Sequence, residues 1–429
     1  GRVAAGALLP LLAMTVVFTF SRGAWVALLV GLVAALVLDP RREQLALGAA
    51  MLGLGPAVGA LLATRAPGLT ETGASLEAAT RDGHRLALVL VILVAVNGVL
   101  AGACHPGALR VRLPSRLRLV GPIALAAILL VGVGVAWARD GSPARIAQDA
   151  WSRAQALPQA EGNSARLLDL SADGRLELWR TAGEAFAADP LGGGGGGTFW
   201  QTWAGSRNAR FPSTEAHSLY AETLAELGAV GLILIVAVLA PPFVAAVHAR
   251  NAPYVPFAFA AFAAWCAHTG LDWDWELVGV SAAALLSGAG IVVAARARER
   301  PVAGLARGAS FSAALVLAVV AATAVLSNAR LESAQAALGR GDTGRALLDA
   351  ERARRLSPWS VRPFELIASA RLDEGRTESA RGAYREIVRR DPESWIAWTH
   401  LAELSSGSER AHALATARRL KTGYEGSRP

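Results

Sequence analysis

The sequence contains very little cysteine and very little lysine. Its two cysteines, Cys104 and Cys266, both lie inside apolar segments, so neither a disulfide framework nor a zinc cluster can be built from them. The cysteines therefore do not indicate whether the protein faces an oxidising or a reducing compartment. Lys421 is the only lysine, and the net charge of +8 comes almost wholly from arginine. These arginines cluster beside apolar runs, which indicates membrane topology and gives no support to nucleic-acid binding.

Charged residues of any kind are scarce. They make up 18% of the 429 residues, and the mean hydropathy is +0.37. This composition excludes an ordinary soluble enzyme and predicts an all-α, polytopic membrane protein. The first apolar run has no basic segment before it and no cleavage site after it, so we do not interpret it as a signal peptide. We expect the N-terminus to be truncated.

Apolar runs long enough to cross a hydrocarbon core of about 30 Å, which takes roughly 17 to 25 helical residues, occur along most of the chain. We predict about nine spans, the second of them short, at residues 3–20, 24–38, 45–63, 86–104, 119–137, 219–247, 255–271, 277–295 and 309–326. The predicted organisation is therefore N-terminal spans at 1–137, a large outer loop at 138–216, C-terminal spans at 217–327 and a tail at 328–424.

The arginines in the short loops predict the orientation of these spans. One set of loops is rich in arginine, at positions Arg41, Arg42, Arg110, Arg112, Arg116, Arg118, Arg250, Arg296, Arg298, Arg300 and Arg307. The alternate set contains only Arg22, Arg65, Arg81 and Arg85. Since arginine-rich short loops face the cytoplasm, the segments 21–23, 138–216 and 272–276 and the tail should share the outer side.

The tail has an internal repeat of 34 residues. Gly341 and Gly375, Ala346 and Ala380, Pro358 and Pro392, Phe364 and Trp398, and Ala368 and Ala402 form pairs at this spacing. This is the period of tetratricopeptide repeats, which are paired helices with small residues at their contacts. About two and a half repeats are visible, fewer than a solenoid core usually needs, so we expect support from the last span, another subunit or a partner. A plain helical hairpin domain is the alternative.

Polar residues that could carry chemistry occur at the predicted outer ends of the spans. Arg22, in "SRGAW", can reach the interface, although an arginine there is usually only an anchor. A helical run is predicted from Arg175 to Ala188; it stops at Asp189–Pro190, just before six glycines. Such a glycine run can bind phosphate through backbone N–H groups or serve as a flexible link.

Two further motifs follow in the C-terminal half. His217 precedes a span in which Glu222 and Glu226 share a helical face. A histidine there suits a general base whose tautomer a nearby carboxylate fixes, or it is a structural hydrogen-bonding group. The motif "HTGLDWDWEL" brings His268 close to Asp272 and Asp274, as a site or as a solvated turn in an aromatic belt.

Together these motifs resemble the O-antigen ligase and polymerase superfamily of bacterial membrane glycosyltransferases. The resemblance rests on "SRGAW", "GRLELW" followed by "DPLGGGGG", "EAHSLYAETLAELGAVGL" and "HTGLDWDWEL" in this order, and it covers nearly the whole chain. The tail resembles that of a branch of the superfamily. The sequence departs from the family pattern in two ways. Ser218 stands where the family often has asparagine. Members typically have about a dozen spans, so an even number of N-terminal spans, about four, is expected to be missing here.

The resemblance implies a polyprenyl-diphosphate-linked glycan as donor, the bacterial inner membrane as location and the periplasm as the side of reaction. It implies Arg22, Arg175 and His217 as catalytic residues: the arginines stabilise the diphosphate without a metal or other cofactor, and the histidine accepts the acceptor's proton. The residues implied to bind substrate are Arg180, Glu215, Glu222, Glu226, His268, Asp272 and Asp274. Transfer is expected to invert the anomeric centre.

The acceptor is left open by the sequence: a lipid A core sugar, a growing polysaccharide and a protein hydroxyl are the alternatives. The tail modestly favours polymer assembly or a protein acceptor, and it could also bind a protein partner. The rival class is a transporter or a non-catalytic membrane scaffold. A transporter should have ionisable residues near the middles of its spans, whereas here they gather at the outer ends.

Overall fold

The computed structural model describes residues 1–71, 73–103, 174–206, 213–296 and 304–425. Within these ranges the chain forms helices and no strands, which confirms the all-α prediction. The predicted span at 119–137 lies outside the described residues, as does most of the predicted outer loop.

The described residues form sixteen α-helices and one 3-10 helix. In chain order they are α1 (Arg2–Phe18), α2 (Arg22–Leu38), α3 (Arg42–Thr64), α4 (Pro67–Thr70), α5 (Leu76–Ala103), α6 (Arg175–Ala188), α7 (Phe199–Gly205), α8 (Leu219–Ala249), α9 (Val255–His268), a 3-10 helix (Asp274–Glu276), α10 (Val278–Ala294), α11 (Gly304–Gly339), α12 (Thr343–Leu356), α13 (Arg362–Asp373), α14 (Thr377–Arg390), α15 (Trp395–Leu404) and α16 (Gly407–Glu425). They form two compact units. The first contains α1 to α6 and α8 to α10. The second contains α11 to α16 and all of α7 except its first residue, Phe199, which belongs to the first unit.

Four of the described helices are long and apolar enough to cross a membrane. These are α3, α5, α8 and, from Arg307 onward, α11. The apolar helices α1, α2, α9 and α10 have 14 to 17 residues, which corresponds to roughly 21–25 Å and falls short of a core of about 30 Å. The prediction of nine spans is therefore supported only in part, by these four long helices. Many large apolar side chains on the helices are exposed, as expected of surfaces that face lipid.

A buried asparagine joins α1, α3 and α5. Pro10 in α1 and Pro56 in α3 lack an N–H group, so the carbonyls four residues earlier, those of Gly6 and Leu52, lose their helical partners. The Asn97 amide of α5 donates to both carbonyls, at 3.2 Å to Gly6 and 2.9 Å to Leu52. Asn97 is 0% exposed. One side-chain amide thus satisfies two backbone groups that would otherwise be unpaired inside an apolar bundle.

Helices α2, α8 and α10 of the first unit pack around α9. Gly31 of α2 lies so close to α9 that a Cβ atom there would sit 3.0 Å from the Ala260 carbonyl oxygen. On the other side, Phe262 is enclosed by residues of α8 and α10, among them Phe243 and Gly288. The small residues let the helix backbones approach closely, as is usual in membrane bundles. This packing fixes the N-terminal end of α2 beside the C-terminal end of α9.

The second unit consists of successive helix pairs. The N–H groups of Gly341 and Asp342 bond the carbonyls of Leu338 and Ala337, and those of Gly375 and Arg376 repeat the pattern at the end of α13. Gly341 and Gly375 have φ of +75° and +71°, a conformation that favours glycine at a helix end. The sequence-equivalent pairs Ala346 and Ala380, and Ala368 and Ala402, are buried. The 34-residue spacing therefore corresponds to a repeated local structure.

The first helix pair of this unit uses the end of α11. Ser327 bonds Ser357, and Arg330 and Ser333 bond Asp349 of α12. The hydrogen bonds from Ser333 and Arg352 and the charge of Arg330 hold the pKa of Asp349 below its usual range. Helix α11 runs without a break through the predicted domain boundary between 327 and 328. The last predicted span and the first helix of the tail are therefore parts of one helix.

Candidate functional site

The N-terminal end of α2 contacts the C-terminal end of α9 through a glycine and a histidine. Ser21 caps α2 by accepting a hydrogen bond from the Ala24 N–H, and Arg22 is the first residue of the helix. A Cβ atom on Gly23 would lie 3.2 Å from His268 Nε2. Gly23 therefore provides the space that lets the imidazole of His268 approach the helix end carrying Arg22.

The segment after α9 holds two charged pairs. Asp274 Oδ2 lies 2.7 Å from His268 Nδ1, and Asp272 Oδ2 lies 3.0 Å from the guanidinium of Arg175. This contact occupies Nδ1, so that Nε2 is the ring nitrogen on the side of Gly23. Nε2 is buried and has no hydrogen-bond partner among the described residues. The two aspartates thus face different partners and do not form a pair aimed at a shared metal ion.

Helix α6 connects this segment to the loop before α8. Trp179, one turn after Arg175, donates its indole N–H to the Ala216 carbonyl at 3.1 Å, and the Ala216 N–H donates to Glu222 at 2.8 Å. Ala216 is fully buried. Both of its backbone groups are therefore held, one by α6 and the other by α8, immediately before His217.

His217 adopts a strained backbone conformation. Its φ is +52°, in the left-handed region that residues other than glycine rarely enter. Ala216 is fixed on one side, and Ser218 caps α8 on the other by accepting from the Ala221 N–H. The Leu219 N–H also bonds the Thr269 carbonyl at 2.8 Å, which ties this turn to the end of α9. Strain of this kind persists only where the surroundings hold it, and it is frequent at functional sites.

The glycine run packs against an interruption in α8. Gly228 has φ +62° and ψ −161°, outside helical geometry, which frees backbone groups on both sides. The N–H groups of Gly194 and Gly195 donate to the Ala225 and Glu226 carbonyls, and the Pro190 carbonyl accepts from Ala229. These N–H groups are engaged within the protein, so the run serves here neither as a flexible link nor as an open phosphate cradle.

The carboxylates of α8 bind backbone groups. Glu226 accepts from the N–H groups of Gly197 and Phe199, at 2.8 and 2.9 Å, and Glu222 accepts from Ala216. Neither contact fixes the His217 tautomer, which was the role proposed from the helical spacing. A carboxylate in contact with a histidine ring nitrogen is found at Asp274 and His268 instead. Glu215 lies in the turn before His217. Burial above all, together with the charges of Glu215 and Glu226, raises the pKa of Glu276.

The structure brings together four of the residues predicted for the site, Arg175, His268, Asp272 and Asp274, beside the helix end that carries Arg22. Gly23 beside Arg22, the pair Arg175 and Asp272, and the pair His268 and Asp274 are linked by direct contacts. Arg180 is not part of this group, because it lies on the exposed side of α6. Throughout the described ranges, no group of three or more histidine, cysteine, aspartate or glutamate side chains is arranged to hold a metal ion.

Two features of the site were not predicted. One is the interruption at Gly228, for which the glycine inside an apolar run was an available signal. The other is the hydrogen bond of 2.8 Å from the Tyr220 hydroxyl to the Cys266 carbonyl, which joins α8 to α9. No sequence pattern indicated that second contact, since it depends on how the two helices pack.

Three helices begin at this end of the first unit. Arg175 is the first residue of α6 as Arg22 is of α2, and His217 lies just ahead of the capped start of α8. Helix N-termini carry a positive partial charge and exposed N–H groups, which favour anions. An arginine at such an end adds to this positive potential. The arrangement suits a ligand with a diphosphate group beside a histidine.

Part of the chain is similar to a known protein family. The family model described as O-Antigen ligase matches residues 83–236, which include α6, the glycine run, His217 and the first half of α8. The match supports a membrane glycosyltransferase of the O-antigen ligase type. No curated protein and no solved structure matches the chain.

Proposed function

We propose that this protein transfers a glycan from a polyprenyl-diphosphate carrier to an acceptor hydroxyl on the periplasmic side of the bacterial inner membrane. The observation that carries the proposal is the meeting of the N-terminal ends of α2 and α6, each beginning with an arginine, at the segment 268–274. The family match to the region around Arg175 and His217 supports the same class of reaction.

Arg22 and Arg175 act on the donor in this proposal. Each guanidinium can give paired N–H donors to diphosphate oxygens, and the charge that develops as the diphosphate leaves is stabilised most where donors are already positioned. Asp272 orients the Arg175 guanidinium through their 3.0 Å contact. With arginines in this role, the reaction needs no metal ion.

His217 acts on the acceptor. Its imidazole accepts the proton of the acceptor hydroxyl as the oxygen attacks the anomeric carbon. The bond between that carbon and the diphosphate oxygen breaks in the same displacement, and the polyprenyl diphosphate leaves with the bonding electron pair. One displacement inverts the anomeric centre. His268, fixed by Asp274, and the carboxylates of Glu215, Glu222 and Glu226 shape the surrounding site.

The tail is proposed to be a tetratricopeptide-like domain on the periplasmic side. The repeated helix ends at Gly341 and Gly375 and the buried alanines at the 34-residue spacing support this assignment. Such a domain presents a surface for peptides or for assembly with other proteins. It favours a growing polysaccharide or a protein over a lipid A core sugar as acceptor.

Incubation of the purified full-length protein with a polyprenyl-diphosphate glycan and each acceptor class tests the proposal. We expect transfer to one of a lipid A core, a polysaccharide end and a peptide, and we expect it to persist in a metal chelator. Loss of transfer in chelator, restored by magnesium or manganese, would refute the metal-independent mechanism and assign Asp272 and Asp274 as ligands. Binding of the donor with no transfer to any acceptor would favour a scaffold or a transporter.

A further inference from the structure

A polar cavity lies at the opposite end of α2 and α8 from the candidate site. It has a volume of about 430 Å³ and is lined by Val37–Gln44 together with Arg250 and Asn251. Since α2 has 17 residues, this end is roughly 25 Å from Arg22. Apolar helices end at this level, so the cavity lies where lipid headgroups meet water.

The cavity is lined by arginines whose charges are largely available. The guanidinium groups of Arg42 and Arg250 have no hydrogen-bond or ion-pair partner among the residues that the structure describes. The Nε atom of Arg41 lies 3.9 Å from Oδ1 of Asp39. The Asp39 carboxylate, 6% exposed, also accepts a hydrogen bond from the Arg41 backbone N–H at 2.7 Å. Glu43 is the other acidic residue of the lining, so arginines outnumber carboxylates.

The start of α3 adds to the positive potential. Arg42, Glu43 and Gln44 are its first three residues, and all of them line the cavity. The N-terminus of this 23-residue helix therefore points its positive end toward the same space as the arginines. A helix end together with guanidinium groups is a common arrangement for binding phosphate.

The wall of the cavity has an apolar edge as well. Val37 is 75% exposed on the last turn of α2 and lines the cavity next to the arginines. A free phosphate ion gains nothing from such an edge, whereas a phospholipid places its headgroup among the cations and its acyl chains along the helix. Basic pockets between membrane helices are known to take anionic lipid headgroups.

We infer that this cavity is a binding site for a phosphate group, supplied by the headgroup of an anionic phospholipid. The site is independent of the proposed glycosyl transfer, because it lies at the other end of the bundle and shares no residue with the candidate active site. Bound lipid would hold the α2–α3 connection against the end of α8.

The inference is tested by measuring, with native mass spectrometry, how tightly phosphatidylglycerol binds to the full-length protein in micelles. The double variant Arg42→Gln/Arg250→Gln should bind this lipid roughly 30-fold more weakly than the unchanged protein. Arg81→Gln/Arg85→Gln is the matched control, since it removes two exposed arginines of α5, and it should bind normally. The single variant Arg250→Gln, at an exposed position beyond α8, should weaken binding roughly fivefold and serves if the double variant loses its helicity.

A second arm separates the two sources of phosphate. If millimolar inorganic phosphate leaves phosphatidylglycerol bound, the site takes the lipid. If phosphate displaces the lipid, and only when Arg42 and Arg250 are present, the site takes a free phosphate ion and the lipid assignment is wrong. Equal lipid binding by the unchanged protein, the control and the folded Arg250→Gln variant would overturn the site altogether. The arginines would then serve only to complement the negative C-terminal ends of α2 and α8.

Discussion

Arg22 and Arg175 occupy equivalent positions, each as the first residue of a helix. If they grip a diphosphate through paired N–H groups, lysine cannot replace them, because its ammonium is a point charge without the planar fork. We expect Arg22→Lys and Arg175→Lys each to lower kcat/KM by about 10- to 100-fold in a transfer assay. Arg85→Lys, at an exposed position of α5, should leave activity near normal. Tolerance of lysine at Arg22 would make that residue an interfacial anchor.

His217 is the residue whose loss should affect the chemical step most. His217→Ala should reduce kcat by roughly 10²- to 10⁴-fold, the usual contribution of a general base, while donor binding and membrane insertion stay intact. Steady-state kinetics with separate donor-binding measurements distinguish these effects. His84→Ala, which removes an exposed histidine of α5, is the matched control. Near-normal turnover of the His217 variant would remove this residue from the mechanism and direct attention to His268 and Asp274.

At the scale of helices, the Asn97 bridge can be tested by a double-mutant cycle. Asn97→Leu should destabilise the protein by about 1–3 kcal/mol, because the Gly6 and Leu52 carbonyls lose the donor that Asn97 supplies. In the background Pro10→Ala/Pro56→Ala, the new N–H groups satisfy those carbonyls within α1 and α3, so the same substitution should cost less. Unfolding of the full-length protein in detergent measures both costs. Equal costs in the two backgrounds would mean that Asn97 acts independently of the prolines.

The contact between α11 and α12 should depend on pH. Hydrogen bonds from Ser333 and Arg352 and the charge of Arg330 lower the pKa of Asp349. A carboxyl whose pKa falls on folding stabilises the folded state above its unfolded pKa of about 3.9, and this stabilisation is lost as the pH falls through the lower folded value. Asp349→Asn should therefore destabilise this helix pair near neutral pH by about 1–3 kcal/mol, with a smaller effect in strong acid.

Hydrogen exchange in peptides from α11 and α12 of the full-length protein, compared between variant and unchanged protein at each pH, measures this difference. Asp373→Asn, which lies at the end of α13 away from this contact, is the control and should show little change at either pH. A destabilisation of equal size at both pH values would show that the Asp349 charge is not responsible.

The helix starting at Arg175 and ending at Ala188 was predicted at its observed bounds, because glycine and proline mark both of its ends in the sequence. The positions of the polar groups at the ends of the spans were likewise predictable from hydropathy. The hydrogen-bond partners of these groups could not be predicted from the sequence. Asp272 pairs with Arg175 across almost a hundred residues, and Glu222 accepts a hydrogen bond from a backbone N–H. Such pairings depend on how helices pack, and similar spacings in the sequence are compatible with several of them.

For the whole molecule, the orientation in the membrane is the decisive prediction. In a background lacking Cys104 and Cys266, we expect a cysteine at Ser408 to react with an impermeant maleimide once the outer membrane is permeabilised. A cysteine at Asn251 should react only after the inner membrane is opened. Both positions are exposed, so accessibility does not differ between them otherwise. The reverse pattern would place the arginine-rich loops outside and refute the positive-inside assignment.

Helix α11 sets a limit on how the tail can be studied as a fragment. Ser327, Leu331, Ala334 and Ala337 are buried in the first helix pair, yet the apolar residues 309–326 precede them in the same helix. A fragment that starts at 328 loses the Ser327 contact and the upstream helical turns that order this pair. A longer fragment carries an apolar segment into water and will aggregate or bind detergent. The tail is therefore best expressed and purified with its membrane helix attached.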